Sequence, residues 1–295
     1  MFAGISAKAG TFTPNATQNS TTESASLGFA PKAILFTTIG ATAADFAAAA
    51  TAVISFGIAR DDSTHRMLAF ASADAAADEA ANILYSETRC VGQIVGGATT
   101  WTGEVTTFGS DTFTMTTRDG ASGSDVCFFL ALGGADLSFD VGTYTTRTTA
   151  GDNTIATDVA PDAVLTVLST ATGTTIETGS GANGVAIGLA DADGQFSHNI
   201  SVEDGAGTSN ANSAAQAAKL IDLDTSSGGT MAAMVDGTVT LNASDFTVAE
   251  NPVDSTARKG WWVAFGAAAA AGVTWGWEQM GQRDYPRRSV KMIAA

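Results

Sequence analysis

Hydrophobic positions in this chain come in short runs separated by Gly, Asp, Ser and Thr, a pattern of strands and turns. Thr112-Phe113-Thr114-Met115-Thr116 and Asp245-Phe246-Thr247-Val248 alternate polar with large apolar residues, which predicts half-buried antiparallel strands with Thr facing water. Further strands are expected at 33–37, 53–59, 67–71, 91–95 and 103–108. Val126-Cys127-Phe128-Phe129-Leu130-Ala131-Leu132 and Gly260-Trp261-Trp262-Val263-Ala264-Phe265 are continuously apolar, which predicts central strands covered on both faces. Three Ala-rich stretches, 42–52, 75–84 and 212–220, carry no alternation; the last two are expected to be short helices at the sandwich edges.

The blocks recur. Gly10-Thr11-Phe12-Thr13 is answered by Gly142-Thr143-Tyr144-Thr145, and Ala30-Pro31-Lys32-Ala33-Ile34-Leu35 by Ala160-Pro161-Asp162-Ala163-Val164-Leu165. Phe56-Gly57-Ile58-Ala59 meets Ile187-Gly188-Leu189-Ala190, and Ser110-Asp111-Thr112-Phe113-Thr114-Met115 meets Ala243-Ser244-Asp245-Phe246-Thr247-Val248. Phe128-Phe129-Leu130-Ala131-Leu132-Gly133 meets Trp261-Trp262-Val263-Ala264-Phe265-Gly266. The order is kept and the offset drifts only from 130 to 133 residues, as in a tandem duplication. The expected fold is all-β, with two tandem duplicated antiparallel β-sandwich domains of jelly-roll-like form, short edge helices and a C-terminal arm. The boundaries are 1–135 for repeat one, 136–267 for repeat two and 268–295 for the arm.

Composition then narrows the chemistry. Among 295 residues only 15% are charged, against about 25% in an ordinary globular protein, so hydroxyl and amide groups must supply much of the surface. The net charge of -16 argues against nucleic acid and against an anionic membrane as partners, and no apolar run is long enough to span a bilayer. The start of the chain shows no secretion signal, so assembly in a cytoplasm is expected. The Asn-x-Ser/Thr triplets at Asn15, Asn19, Asn199 and Asn242 would matter only in a secretory pathway.

Catalytic, cofactor and metal sites are not expected. His65 and His198 are the only histidines and lie in no metal-binding spacing; each is expected at the surface. Cys90 and Cys127 sit in apolar strand patterns that suit inert buried thiols, with a disulfide between adjacent strands as the other option. Asp191-Ala192-Asp193-Gly194 looks like the start of a calcium loop but lacks the downstream Glu. With Asp61 and Asp62 at the matching point of repeat one, a pair of acidic hairpin turns is expected, and for Asp222 and Asp224 a bound ion is likewise not expected. Gly96-Gly97 and Gly228-Gly229 read as turns, and there is no phosphate-binding loop.

The arm differs from the rest. Trp275, Trp277, Arg283, Tyr285, Arg287, Arg288 and Lys291 make it aromatic and locally positive, a composition suited to docking on a sister subunit or another partner.

Leu27-Gly28-Phe29-Ala30-Pro31-Lys32-Ala33-Ile34-Leu35-Phe36, with the Gly10 block before it and the Asp111-Thr112-Phe113-Thr114 strand and Phe129-Leu130-Ala131-Leu132-Gly133-Gly134 after it, resembles a module of tailed-bacteriophage virion proteins. The resemblance spans repeat one. Repeat two departs from it, with Asp158-Val159-Ala160-Pro161-Asp162 in place of the Gly-Phe and Lys. The resemblance implies a structural or adhesion role in the virion and no catalytic residues. In the plainer reading of the motif, Phe29 plugs one end of the sandwich, Pro31 sets an extended strand entry and Lys32 is a solvated charge.

The function expected is that of a non-enzymatic structural subunit of a tail, baseplate or capsid-surface layer, assembled in the host cytoplasm, with copies of itself, a trimer favoured, and other virion proteins as partners. The alternative is a receptor-recognition module binding host-surface glycan, with Trp101 as an aromatic platform. A hydrolase would need paired carboxylates that no motif here singles out.

Overall fold

The computed structural model describes residues 4–39, 51–73, 81–120, 125–178, 183–202, 211–227, 230–253 and 255–267. The first half forms β1 (Ser6–Phe12), β2 (Thr21–Glu23), β3 (Pro31–Thr38), β4 (Thr51–Ala59), β5 (His65–Ala73), β6 (Asn82–Ser86), β7 (Val91–Val95), β8 (Ala98–Phe108), β9 (Phe113–Arg118) and β10 (Cys127–Gly133). The second half forms β11 (Leu137–Thr145), β12 (Gly151–Ala156), β13 (Ala163–Ser169), β14 (Glu177–Thr178), β15 (Asn183–Asp191), β16 (Gln195–Val202) and β17 (Ala211–Ala217). It continues through β18 (Ile221–Ser227), β19 (Thr230–Leu241), β20 (Asp245–Pro252) and β21 (Lys259–Ala267).

These strands make four antiparallel sheets, and the duplication is visible in their order. Sheet A runs β1-β10-β3-β4-β5-β6 and sheet C runs β11-β21-β13-β15-β16-β17; sheet B runs β2-β9-β8-β7 and sheet D runs β12-β20-β19-β18. Element for element the two orders coincide. The one addition is β14, which leaves the second half to pair with the edge strand β6 of sheet A, Glu177 opposite Ile83 and Thr178 opposite Asn82.

Each half is a sandwich with a core between its two sheets. In the first, the inward residues Ile34, Phe36, Trp101, Phe113, Met115 and Phe129 pack together. In the second, Tyr144, Val164, Leu223, Phe246, Val248 and Trp262 do so. The aromatic crossing at the centre is itself repeated: Phe113 meets Phe129 edge-on with centroids 5.1 Å apart, and Phe246 meets Trp262 at 5.3 Å. Close approach of the sheets requires glycine at one matched pair of positions. A Cβ on Gly57 would lie 2.0 Å from the carbonyl oxygen of Cys90, and one on Gly188 would lie 1.7 Å from that of Leu220.

Two expectations are corrected. The stretch 212–220 is not a helix: residues 211–217 form β17, an edge strand paired with β16 from Phe196 opposite Ala217 to Val202 opposite Ala211. Its small, largely exposed side chains carry no apolar stripe that would bury a helix face, so pairing with β16 decides the conformation. Of the stretch 75–84, residues Asn82, Ile83 and Leu84 belong to β6, and 75–80 lie outside the described residues, as do 42–50 of the stretch 42–52. No described residue is helical.

Candidate assembly surfaces

The largest apolar cluster belongs to neither sandwich. It lies between them, where the outer face of sheet A packs on the outer face of sheet C. Sheet A contributes Ala33, Ile58, Leu68, Phe70, Ile83 and Tyr85. Sheet C contributes Leu137, Phe139, Val141, Val167, Trp261 and Val263. Only Gly134, Ala135 and Asp136 connect β10 to β11, so the halves meet across a short joint. At about 25 cal/mol per Å² of apolar surface, a cluster of this size holds the two sandwiches as one body.

Polar contacts fix the joint's geometry. Arg60, at the turn after β4, donates to Asp140 of β11 at 2.6 Å, and the other Asp140 oxygen accepts from the Asp158 backbone N–H at 2.9 Å. Lys32 donates to the Leu137 carbonyl at 3.1 Å, so its ammonium group is tied to repeat two and is not simply solvated. The Asn183 amide donates to the Ala81 carbonyl at 2.7 Å, and the Tyr85 hydroxyl lies 3.2 Å from that of Thr143. Burial pushes the Tyr85 phenol up to about 12, so it remains a neutral hydrogen-bonding group.

Two open clefts flank the joint. One, of about 670 Å³, lies between Lys32, Arg60, Asp61 and Thr107 on repeat one and Ser138 and Phe139 on repeat two. The other, of about 380 Å³, lies between Arg89, Thr102 and Asp119 and the segment Thr174 to Ile176 that leads into β14. The charged groups of the second, Arg89 and Asp119, are already engaged. Glu104 takes Arg118 at 2.7 Å and Arg89 at 3.0 Å, and Arg89 also reaches Asp119 at 3.0 Å. Desolvation raises the Asp119 carboxyl, but hydrogen bonds from Thr102 and Arg89 outweigh it and hold the group below its ordinary value.

The acidic turns are what their positions suggest. Asp61 accepts from the Ser63 and Thr64 backbone N–H groups at 2.9 and 2.6 Å, and Asp191 accepts from those of Asp193 and Gly194 at 2.8 and 3.0 Å. The matching hairpins β4–β5 and β15–β16 thus close on the same Asx turn. Among the described residues no three His, Cys, Asp or Glu groups are placed to hold a metal ion.

Three further expectations change. His65 is buried, its Nε2 2.9 Å from the Val105 carbonyl oxygen, and desolvation lowers its pKa; only His198 is exposed. Trp101 is fully buried and donates through its indole N–H to Asp125 at 2.7 Å, so it offers no platform for a sugar. The apolar run in β10 is covered on one face only: Phe129 lies in the core, whereas Phe128 and Leu130 are 42% and 40% exposed. Cys90 and Cys127 are free, buried thiols, and desolvation raises both. Phe29 packs at the edge of the first core, as a plug would. The docking residues Trp275, Trp277, Arg283, Tyr285, Arg287, Arg288 and Lys291 lie outside the described residues.

Sequence reasoning missed a polar layer inside repeat two. Where repeat one packs Met67, Ala69, Ala71 and Ile94, the equivalent positions hold Ser197, Asn199, Ser201 and Asp224. Beside them Asp222 is 4% exposed; desolvation first, then the Asp224 charge, pushes its carboxyl up to about 6. The Ser-x-Asn-x-Ser alternation in β16 was the available signal, since a strand buried on that face would ordinarily be apolar.

Family models, curated proteins and solved structures yield no match to this chain.

Proposed function

We propose that this chain is a non-enzymatic structural subunit of a tailed-phage particle, in the tail, the baseplate or a capsid-surface layer, and that it works by self-assembly. The observation that carries this reading is the shared core between the sandwiches: the outer face of the module is built to pack on another copy of the module. The likeness of repeat one to virion modules supplies the setting. The side chains that would do chemistry are committed to structure, Asp61 and Asp191 to their turns, Glu104 to two arginines and both thiols to the first core. The basic, aromatic arm suits a contact with a neighbouring virion protein on an acidic body. Host-glycan recognition loses its motivating residue with Trp101 in the core.

Mass spectrometry of purified virions tests the proposal. The chain is expected among the particle proteins at a copy number matching a symmetric assembly; its absence from virions, with recovery only from the lysate, would overturn the reading.

A further inference from the structure

The contact between the two repeats is lopsided. Repeat one uses mainly the β4-β5-β6 side of its outer face, and repeat two uses mainly the β11-β21-β13 side of the equivalent face, with Val185 of β15 and Val202 of β16 at its margin. The two remaining areas, β1-β10 on repeat one and the part of β15-β16-β17 beyond Val185 and Val202 on repeat two, are open. They are nevertheless apolar. Of the eight large hydrophobic residues exposed among those described, five lie there: Phe128 and Leu130 on β10, Leu189 on β15, and Phe196 and Ile200 on β16.

Each is the structural counterpart of a residue at the joint or of a joint neighbour. The aligned blocks match Phe128 with Trp261, Leu130 with Val263 and Leu189 with Ile58, and the buried member of each pair lies in the shared core. Cross-strand register extends the match: Phe70 lies opposite Ile54, and Ile200 lies opposite Val185 at the equivalent place, so Ile200 stands where Phe70 does. Phe196 stands where the chain has Arg66, opposite Leu189 as Arg66 is opposite Ile58. The open faces are therefore the same two surfaces that already fit each other inside the chain, one on each end.

We infer that a second copy of this chain docks head to tail, its β1-β10 face on the β15-β16-β17 face of the first. This deepens the self-assembling-subunit reading and rests on it. The charge pattern agrees: Ala7, Ala9, Thr11, Phe128 and Leu130 on one face carry no ionisable group, and the outward residues of the other include Asp191 and His198, so two copies of a chain of net charge -16 meet without like charges opposed. The sheet edge agrees as well. At the internal joint β6 is extended by β14 from the neighbouring repeat, while the equivalent edge of β17 has no partner strand among the described residues. A contact between unlike surfaces propagates from copy to copy and closes into a ring when its rotation permits.

The test uses the full chain and two double variants at exposed positions, Phe128→Asp with Leu130→Asp and Phe196→Asp with Ile200→Asp. Light scattering after size exclusion should give wild type at a multiple of 29.7 kDa and each variant alone at 29.7 kDa, with unchanged circular dichroism. Mixed in equal amounts, the variants retain one intact face each and should form a dimer of twice the chain mass and nothing larger. A mixture that stays monomeric, or a variant that assembles like wild type, overturns the proposal. So does a wild-type monomer that assembles only once residues 268–295 are removed, since the arm would then be the occupant of these faces. Wild type that assembles regardless of both variants sinks this interface and leaves the subunit reading standing; absence from virions sinks that reading even if the mixed dimer forms.

Discussion

Ile58 and Leu189 occupy the same position in the two repeats, the first fully buried and the second 47% exposed, and this gives a matched pair of perturbations. Ile58→Ala removes apolar volume from the joint between sheets A and C. Burial of such a side chain is worth about 1.5–3 kcal/mol, and truncation in a well-packed site adds a cavity term, for a total loss of about 2–5 kcal/mol. Both sides of this site are regular sheet, which collapses poorly, so the upper half of that range is expected. Leu189→Ala removes similar volume from an open face and should change stability by no more than about 0.5 kcal/mol. Urea unfolding followed by tryptophan fluorescence reads both, because Trp261 lies in the same cluster as Ile58. The concentration should be low enough for the chain to be monomeric, so that lost docking does not enter. Equal midpoints for the two variants would refute the claim that the repeats share a core, and two separate transitions in the wild type would refute it more directly.

Gly188→Ala should cost upwards of about 3 kcal/mol, because the new methyl meets the Leu220 carbonyl and β15 and β18 must part; thermal unfolding checks this. Glu250 is buried and accepts from the Tyr144 hydroxyl, the Asn153 amide and the Arg147 backbone N–H, each at 2.6 Å. Glu250→Ala should therefore lose about 3–5 kcal/mol in denaturant titration by stranding these donors. Asp222 binds its proton more tightly folded, near pH 6, than unfolded, near pH 4, so its contribution is fully present below about pH 4 and is lost as pH rises through 6. Asp222→Asn should remove that loss and be more stable than wild type at pH 7 by about 1–2 kcal/mol, with the difference vanishing at pH 4 in urea titrations. A thiol reagent should label Cys90 and Cys127 only on unfolding, and labelling at the rate of a free thiol in native buffer would contradict their burial.

The duplication was legible because its blocks fall on core strands, where the inward residues of β3, β9 and β10 must be kept large in both copies. The turn carboxylates were legible for a similar reason, since Asp61 and Asp191 close matching hairpins. The edges were not. Alanine fits a helix and an exposed edge strand equally well, and β17 is decided by its partner β16, about which the stretch 212–220 carries no information. The joint was hidden by a symmetry of composition: β10 and β21 are equally apolar on their outward faces, and only the packing of the halves distinguishes the covered Trp261 from the open Phe128. His65 and Trp101 were misplaced because one polar atom on each finds a buried partner, Val105 and Asp125, that lies far along the chain.

The joint's rigidity reaches beyond stability. Three connecting residues, a shared core and the Arg60–Asp140 bridge set one angle between the sandwiches, leaving no hinge to absorb error. If copies join through the same pair of faces, that angle is restated at every step, and the curvature of the assembly is written inside the monomer. Substitutions at Asp140 or Lys32 would then alter how many copies complete a circle while leaving the docking faces, and their affinity, intact.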